Sequence, residues 1–343
     1  MALIFMDGFD HYPIEDILKK WTIYNVGYGP SEITTGRTGN GIRMTREVYI
    51  GKTLPDQATY IVGFAFKNAG FSATATILSF NDGSTRHVIL NLNYPTGTLS
   101  LLNGSGAVLA TSTNTIAIGT WYYIEVKVTI ADGTSGVYEV RVDGLPTGWI
   151  PQANGDTRNG ADAHCNLILF GNLQVPVLNW CDGCWDDLYI ADTAPGVLDT
   201  FIGNCKVDTL YPNDNGTHSQ FVGQDADSTD NYQNANEVSL DSDTTYNKSA
   251  TVNARDTYKF TNTIASGAIK GVQVNSIMRK DSAGSRTVSS TCISGETTDD
   301  APAQGVGNTY YDYIKVYEHN PNGDAVWTKE TLDAAEFGVK VVS

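Results

Sequence analysis

Long apolar runs are missing from this chain. Its longest, residues 174–178 and 58–66, fall far short of the roughly 18 residues that a membrane-spanning helix needs. The opening Met1-Ala-Leu-Ile-Phe-Met6 runs into Asp7-Gly8-Phe9-Asp10 with no basic start and no cleavage site. No signal peptide is therefore expected, and synthesis in a cytoplasm is. Cysteine is scarce: five in 343 residues, an odd number that does not suit a disulfide scaffold. Positive charge is also short, with 22 Lys+Arg against 38 Asp+Glu and a formal charge of −16. Such a surface repels a phosphate backbone and disfavours an anionic membrane, so neither nucleic acid nor membrane insertion is expected. Sustained helical periodicity, internal repeats and coiled-coil heptads are lacking too.

What the chain does have is glycine, tyrosine and alternation: 34 Gly, 18 Tyr and 41% hydrophobic residues. Residues 121–144, WYYIEVKVTIADGTSGVYEVRVDG, read as two strands joined by a polar turn. Tyr122, Ile124, Val126, Val128 and Ile130 share one face, and Tyr123, Glu125, Lys127 and Thr129 the other. After the turn Tyr138, Val140 and Val142 oppose Val137, Glu139 and Arg141. Period-two alternation marks strands with one dry face and one wet face, and the dry face calls for a second sheet over it. On the wet face Glu125 and Lys127 are expected to pair with Glu139 and Arg141 across the strands.

Short strand candidates recur about every ten residues along the first half: 3–6, 21–26, 60–67, 74–81, 87–93, 98–102, 108–112, 166–170 and 185–191. Residues 14–20 read as a short helical piece, and the Gly/Pro/Asn-rich stretch 145–163 as a long rim loop. Composition shifts after residue 203: 214–256 is poor in large aliphatics, and alternation returns at 257–260, 269–279, 287–293 and 312–318. Residues 328–335 suggest a helix stopped by Gly338 and followed by a last strand at 339–342. The length exceeds one ordinary core. Residues 1–203 are therefore expected to form a β-sandwich, and 204–343 a smaller β-rich (α+β) domain for attachment or assembly.

Three segments carry a resemblance. Trp121-Tyr-Tyr-Ile-Glu-Val, the strand ending Arg141-Val-Asp-Gly, and Trp185-Asp-Asp-Leu-Tyr-Ile-Ala-Asp together resemble the concanavalin A-like lectin/laminin G-like jelly roll over residues 3–195. The opening Phe5-Met-Asp-Gly-Phe-Asp-His-Tyr and the ending Trp327-Thr with Ala334-Ala-Glu-Phe-Gly-Val-Lys-Val look like such domains in tailed-bacteriophage virion proteins. That resemblance implies a non-enzymatic virion component, a tail fibre, spike or head-surface protein made in the host cytoplasm. Its implied partners are other virion proteins, further copies of itself in a homo-oligomer, and a host-surface glycan. Two alternatives stand beside it: a capsid or tail decoration protein with no ligand, and a glycan-degrading enzyme of the same fold.

Sugar recognition needs an aromatic face with polar groups beside it. Tyr94, Trp149 and Trp180, with Asn154, Asn93 or Asn179 as polar neighbours, are the candidates, and Tyr24 is a further aromatic. Retaining hydrolysis needs two carboxyls about 5–5.5 Å apart. The nearest match is Asp182-Gly-Cys-Trp-Asp186-Asp187, but adjacent strand residues point to opposite faces. One of Asp186 and Asp187 is thus expected in solvent and the other on nearby backbone, with no catalytic pair. Cys181 and Cys184, with His164 and Cys165, are the set a zinc ion would use, yet adjacent His164 and Cys165 suit joint coordination poorly. Asp82, Asp143, Asp156 and Asp162 lie near turns where a rim Ca²⁺ would sit, and no spacing singles them out. Asp225, Asp227, Asp230, Asp241 and Asp243 fail the EF-hand pattern. No cofactor is expected.

Overall fold

The computed structural model describes residues 3–173, 181–194 and 198–343, and it is mainly β with antiparallel sheets. The chain divides into two compact units, Met1–Asp10 with Trp21–Val207, and His11–Lys20 with Asp208–Ser343.

The first unit begins with β1 (Leu3–Asp7), β2 (Ile23–Asn25), β3 (Ser31–Thr35), β4 (Asn40–Thr45) and β5 (Tyr49–Gln57). It continues with β6 (Thr59–Phe71), β7 (Ala75–Asp82), β8 (Thr85–Leu92), β9 (Thr98–Asn103) and β10 (Val108–Thr115). β11 (Trp121–Thr129), β12 (Val137–Val142), β13 (Leu145–Asn154), β14 (Cys165–Gly171) and β15 (Cys181–Asp192) complete it. One sheet has the order β13-β12-β11-β6-β15-β4-β3, with β1 also on β15, and the other β10-β9-β8-β7-β14-β5-β2. We call them the front and back sheets.

The dry faces meet as the alternation requires. Phe64 of β6 packs edge-on against Phe170 of β14 at 5.6 Å between ring centres, and Trp21 meets Phe170 at 5.9 Å. Ile124, Val126, Val128, Val140 and Val142 are all buried beneath the front sheet. Burial of each such side chain contributes about 1.5–3 kcal/mol. Trp21 has no exposure at all, and its indole N–H donates to Asp7 Oδ2 at 2.8 Å, so the large ring enters the core with its one polar atom satisfied.

The expected rim loop differs at its start: Leu145–Asn154 is a strand paired with β12. Pro146 and Pro151 signal a loop, but β13 closes its sheet, and a terminal strand tolerates residues that donate no ladder bond.

In the second unit the main sheet runs Pro212–Ser219, Arg255–Phe260, Glu336–Val341, Thr287–Ser294, Thr297–Asp300, and Val272–Met278 pairs with Tyr311–Tyr317. Its core gathers Val274, Cys292, Tyr317, Trp327, Leu332, Ala335 and Phe337. Thr328 caps the helix Lys329–Asp333, accepting from Thr331 N, so the helix starts where expected. Gly338 does not stop it. The helix ends at Ala334, and Gly338 lies inside the final strand, where a Cβ would stand 1.9 Å from Asp256 O.

Candidate functional site

The site grows from the outward face of the front sheet. In register across five strands stand Trp121, Lys67, Cys184, Arg43 and Glu32. Lys67 Nζ sits 4.9 Å from the Trp121 ring centre. Arg43 donates to Glu32 Oε1 at 2.9 Å and forks onto Asp182, Nε to Oδ1 at 2.9 Å and Nη2 to Oδ2 at 2.5 Å. Further along the face the central strand β6 carries only Ala65 and Gly63 outward, which leaves a trough between β11 and β15.

Tyr189 fills part of that trough. Its ring lies across Gly63 so closely that a Cβ there would be 2.1 Å from Tyr189 Cε1. The phenol donates to Glu125 Oε1 at 2.7 Å. Glu125 Oε2 is buried and has no partner among the described residues. Tyr123 stands beside Glu125, its hydroxyl donating to Asp187 O at 3.1 Å and lying 2.8 Å from Cys205 Sγ. Burial raises the pKa of both phenols well above the ordinary value, with the Glu125 charge acting in the same direction. The Arg37 guanidinium covers the Tyr123 ring at 5.0 Å and donates to Asp187 Oδ2 at 2.8 Å.

The expectation for Asp186 and Asp187 is corrected in one half: a carboxyl bonded to nearby backbone is present, and a solvent-facing one is not. Neither faces solvent, and both carboxylates bond Arg37. Asp186 Oδ2 accepts from Arg37 N at 2.7 Å and Thr38 N at 3.0 Å, while Asp187 takes the Arg37 side chain. The reason is a register shift in β15 between Asp186 and Tyr189, with Asp187 at φ 50°, which breaks the strict alternation. Burial and the neighbouring Asp187 push the Asp186 carboxyl up to about 8. Burial also raises Asp187, against the pull of Val207 N–H and Arg37.

The expected wet face is also corrected. These residues do face one another across the two strands, Glu125 opposite Arg141 and Lys127 opposite Glu139. Yet Tyr123 and Glu125 have no exposure, and Arg141 bonds Glu139 on its own strand at 2.7 Å. Residues 201–207 cover this part of the face. Gly203 N donates to Glu125 Oε1 at 2.8 Å, Ile202 N to Tyr189 Oη at 3.3 Å and Val207 N to Asp187 Oδ1 at 2.7 Å. Arg37 reaches back to Asn204 Oδ1 at 2.7 Å and to Cys205 O, and the Arg141 guanidinium lies 4.2 Å from the Phe201 ring centre.

The residues named from sequence lie elsewhere. Tyr94 is 50% exposed and edge-on to Phe71 at 5.5 Å. Trp149 is buried, 6.3 Å from Tyr122, and Asn154 donates to Thr134 O at 2.8 Å. Trp180 falls outside the described residues. Cys165, Cys181 and Cys184 are buried free thiols, and His164 faces Asp82 Oδ1 at 3.2 Å and Asp56 Oδ1 at 3.6 Å. Among the described residues no three His, Cys, Asp or Glu side chains gather to hold a metal. Asp143 accepts from Tyr123 N at 3.0 Å, Asp156 from Gly133 N at 3.3 Å, and Asp243 pairs with Arg279 at 2.7 Å. Arg37, Tyr123, Tyr189 and Cys205 were not legible as site residues, because only the register shift and long-range folding bring them to Glu125.

No known protein family matches the chain, and no curated protein does. Among solved structures it is similar to an endo-β-1,4-glucuronan lyase from the fungus Trichoderma reesei, with 10% identity and a TM-score of 0.41 over 50% of this chain and 90% of that one. It is similar to an alginate lyase, at 14% identity and a TM-score of 0.37 over 55% of this chain and 96% of that one. A cellulose-induced protein gives 16% identity and a TM-score of 0.38 over 54% and 93%. These findings correct the resemblance drawn from sequence: the similar structures are glycan-degrading enzymes and a cellulose-induced protein, not phage fibre, spike or decoration proteins. The expectation of a non-enzymatic role goes with it.

Proposed function

We propose that the protein is a glycan-degrading enzyme whose reaction centre is the trough over Gly63, with Tyr189 and Glu125 as the proton-handling pair. One observation carries this: the Tyr189 phenol donates to a fully buried Glu125 carboxylate at 2.7 Å, on a sheet face floored by glycine and alanine. Breaking a glycosidic bond needs a proton moved onto a leaving oxygen or taken from the sugar. A phenol in hydrogen-bond reach of a carboxylate moves one without solvent. Arg37 and Asp187 hold the Tyr123 side of the trough, and the Lys67–Trp121 and Arg43 row offers cations and an aromatic face to sugar further along it. Asp186 anchors the turn that carries Arg37, through two backbone N–H groups.

The test is cleavage of a panel of acidic and neutral polysaccharides, read as new reducing ends and as ultraviolet absorbance of any unsaturated product. The absorbance separates elimination from hydrolysis. Glu125→Gln keeps an acceptor for Tyr189 and Gly203 and removes the buried charge, and circular dichroism checks that the fold is retained. Its rate is expected to fall by about 10²–10⁴, and that of Tyr189→Phe by a comparable factor. Equal rates in wild type and Glu125→Gln would refute the assignment.

A further inference from the structure

Residues 201–207 occupy the trough in a revealing way. Their backbone N–H groups donate to Glu125 Oε1, Tyr189 Oη and Asp187 Oδ1, and the Cys205 carbonyl and Asn204 amide oxygen accept from Arg37. Donors on the two carboxylates and acceptors on the guanidinium are what a polyhydroxylated chain also presents. The fit is incomplete at one atom. Gly203 brings a single N–H to a carboxylate that has two oxygens, and Glu125 Oε2 is left buried without a donor among the described residues. A buried acceptor left unmet is unfavourable, the more so when it carries charge. A vicinal diol of a pyranose supplies two hydroxyl donors at the spacing of the two carboxylate oxygens and satisfies both. The segment is seated mainly by polar contacts: Phe201 and Ile202 are only half-buried, with the Arg141 guanidinium against the Phe201 ring and Asn204 Nδ2 donating to Asp143 Oδ1 at 3.4 Å.

We infer that residues 201–207 are an internal occupant of the sugar subsite, displaced when a pyranose diol binds Glu125, and that the trough turns over substrate only after that displacement. This rests on the glycan-degrading reading above. A ligand drives such a change only by its differential affinity for the open state, and a hydroxyl donated to Oε2 is the source of that difference.

Cys205 reports the displacement. Its thiol lies against the Tyr123 hydroxyl, and burial pushes its pKa up to about 11, so it reacts slowly while the segment is seated. The full-length protein is labelled with iodoacetamide, site by site, with and without partially hydrolysed alginate and cello-oligosaccharides. The oligosaccharide that the enzyme cleaves is expected to speed Cys205 labelling by about tenfold or more, leaving Cys165 and Cys292 unchanged. A second arm uses Gly203→Pro, which removes the N–H on Glu125 and cannot adopt the observed φ. This variant is expected to label rapidly at Cys205 without sugar and to cleave several-fold faster at low substrate. Labelling of wild type that is indifferent to a cleaved oligosaccharide overturns the inference. So does a rapidly labelled Gly203→Pro that cleaves no faster. Absence of cleavage of every polysaccharide by wild type and Gly203→Pro alike overturns instead the glycan-degrading reading on which it stands.

Discussion

Gly63 sets the geometry of the trough through its contact with the Tyr189 ring. An alanine there puts a Cβ 2.1 Å from Tyr189 Cε1, 2.7 Å from Cδ1 and 2.8 Å from Cζ, so the ring has to move. The ring is 2% exposed and its hydroxyl is fixed between Glu125 Oε1 and Ile202 N, which leaves no free direction. Overpacking of this kind costs about 1–3 kcal/mol. Losing a hydrogen bond to a charged acceptor adds about 1.5–3 kcal/mol, so Gly63→Ala is expected to cost roughly 3–5 kcal/mol. For a unit of this size the thermal midpoint falls about 2–4 °C per kcal/mol, a drop of roughly 6–20 °C in the transition of the first unit by circular dichroism or calorimetry. The double variant Gly63→Ala/Tyr189→Val isolates the cause. Without the ring the alanine is expected to cost less than about 1 kcal/mol, so the two changes are strongly coupled. A midpoint unchanged in Gly63→Ala, or an equal penalty with and without the Tyr189 ring, would refute the reasoning.

Asp186 gives a pH-dependent prediction. Its folded carboxyl keeps a proton up to about 8 while the unfolded chain releases it near the ordinary value of 3.8. The folded state therefore binds more protons between those limits, and the associated stability is full below about pH 4 and lost as pH rises to about 8, by up to roughly 6 kcal/mol. Urea titrations of Asp186→Asn, which carries no charge to bury, are expected to show a flattened slope across that window, so that the variant loses less stability than wild type between pH 4 and 8; a profile parallel to wild type would contradict it. In the second unit Phe337 meets Phe260 at 5.8 Å, Trp327 at 6.1 Å and Tyr317 at 6.3 Å. Phe337→Ala is expected to cost about 3–5 kcal/mol, seen as faster hydrogen exchange across Glu336–Val341. A cost below about 1 kcal/mol would show that this cluster is not the core of the unit.

Much of the fold was legible because alternation is a local signal. That Glu125 and Lys127 face Glu139 and Arg141 across one strand pair follows from the period of two and one turn, and the structure sets them opposite one another. Pro146 and Pro151 misread as loop because a sequence does not say which strand ends a sheet. The site was harder. Asp186 and Asp187 share a side only because one residue takes φ 50° where the ladder slips, which neither residue type announces. Arg37 and Cys205 lie 168 positions apart and meet over Tyr123 through long-range folding alone. The W-x-x-I-E-V and V-D-G segments mark a strand pair of a sandwich, and a sandwich hosts many roles, so they speak to the fold and not to the role.

The location of bound sugar tests the central claim most directly. A crystal of Glu125→Gln soaked with the longest oligosaccharide that wild type releases is expected to show a pyranose over Gly63 and Ala65, within hydrogen-bond reach of Tyr189 Oη and residue 125, with residues 201–207 displaced. Sugar bound on the back sheet or on the second unit, with Tyr189 and residues 201–207 unmoved, would contradict it.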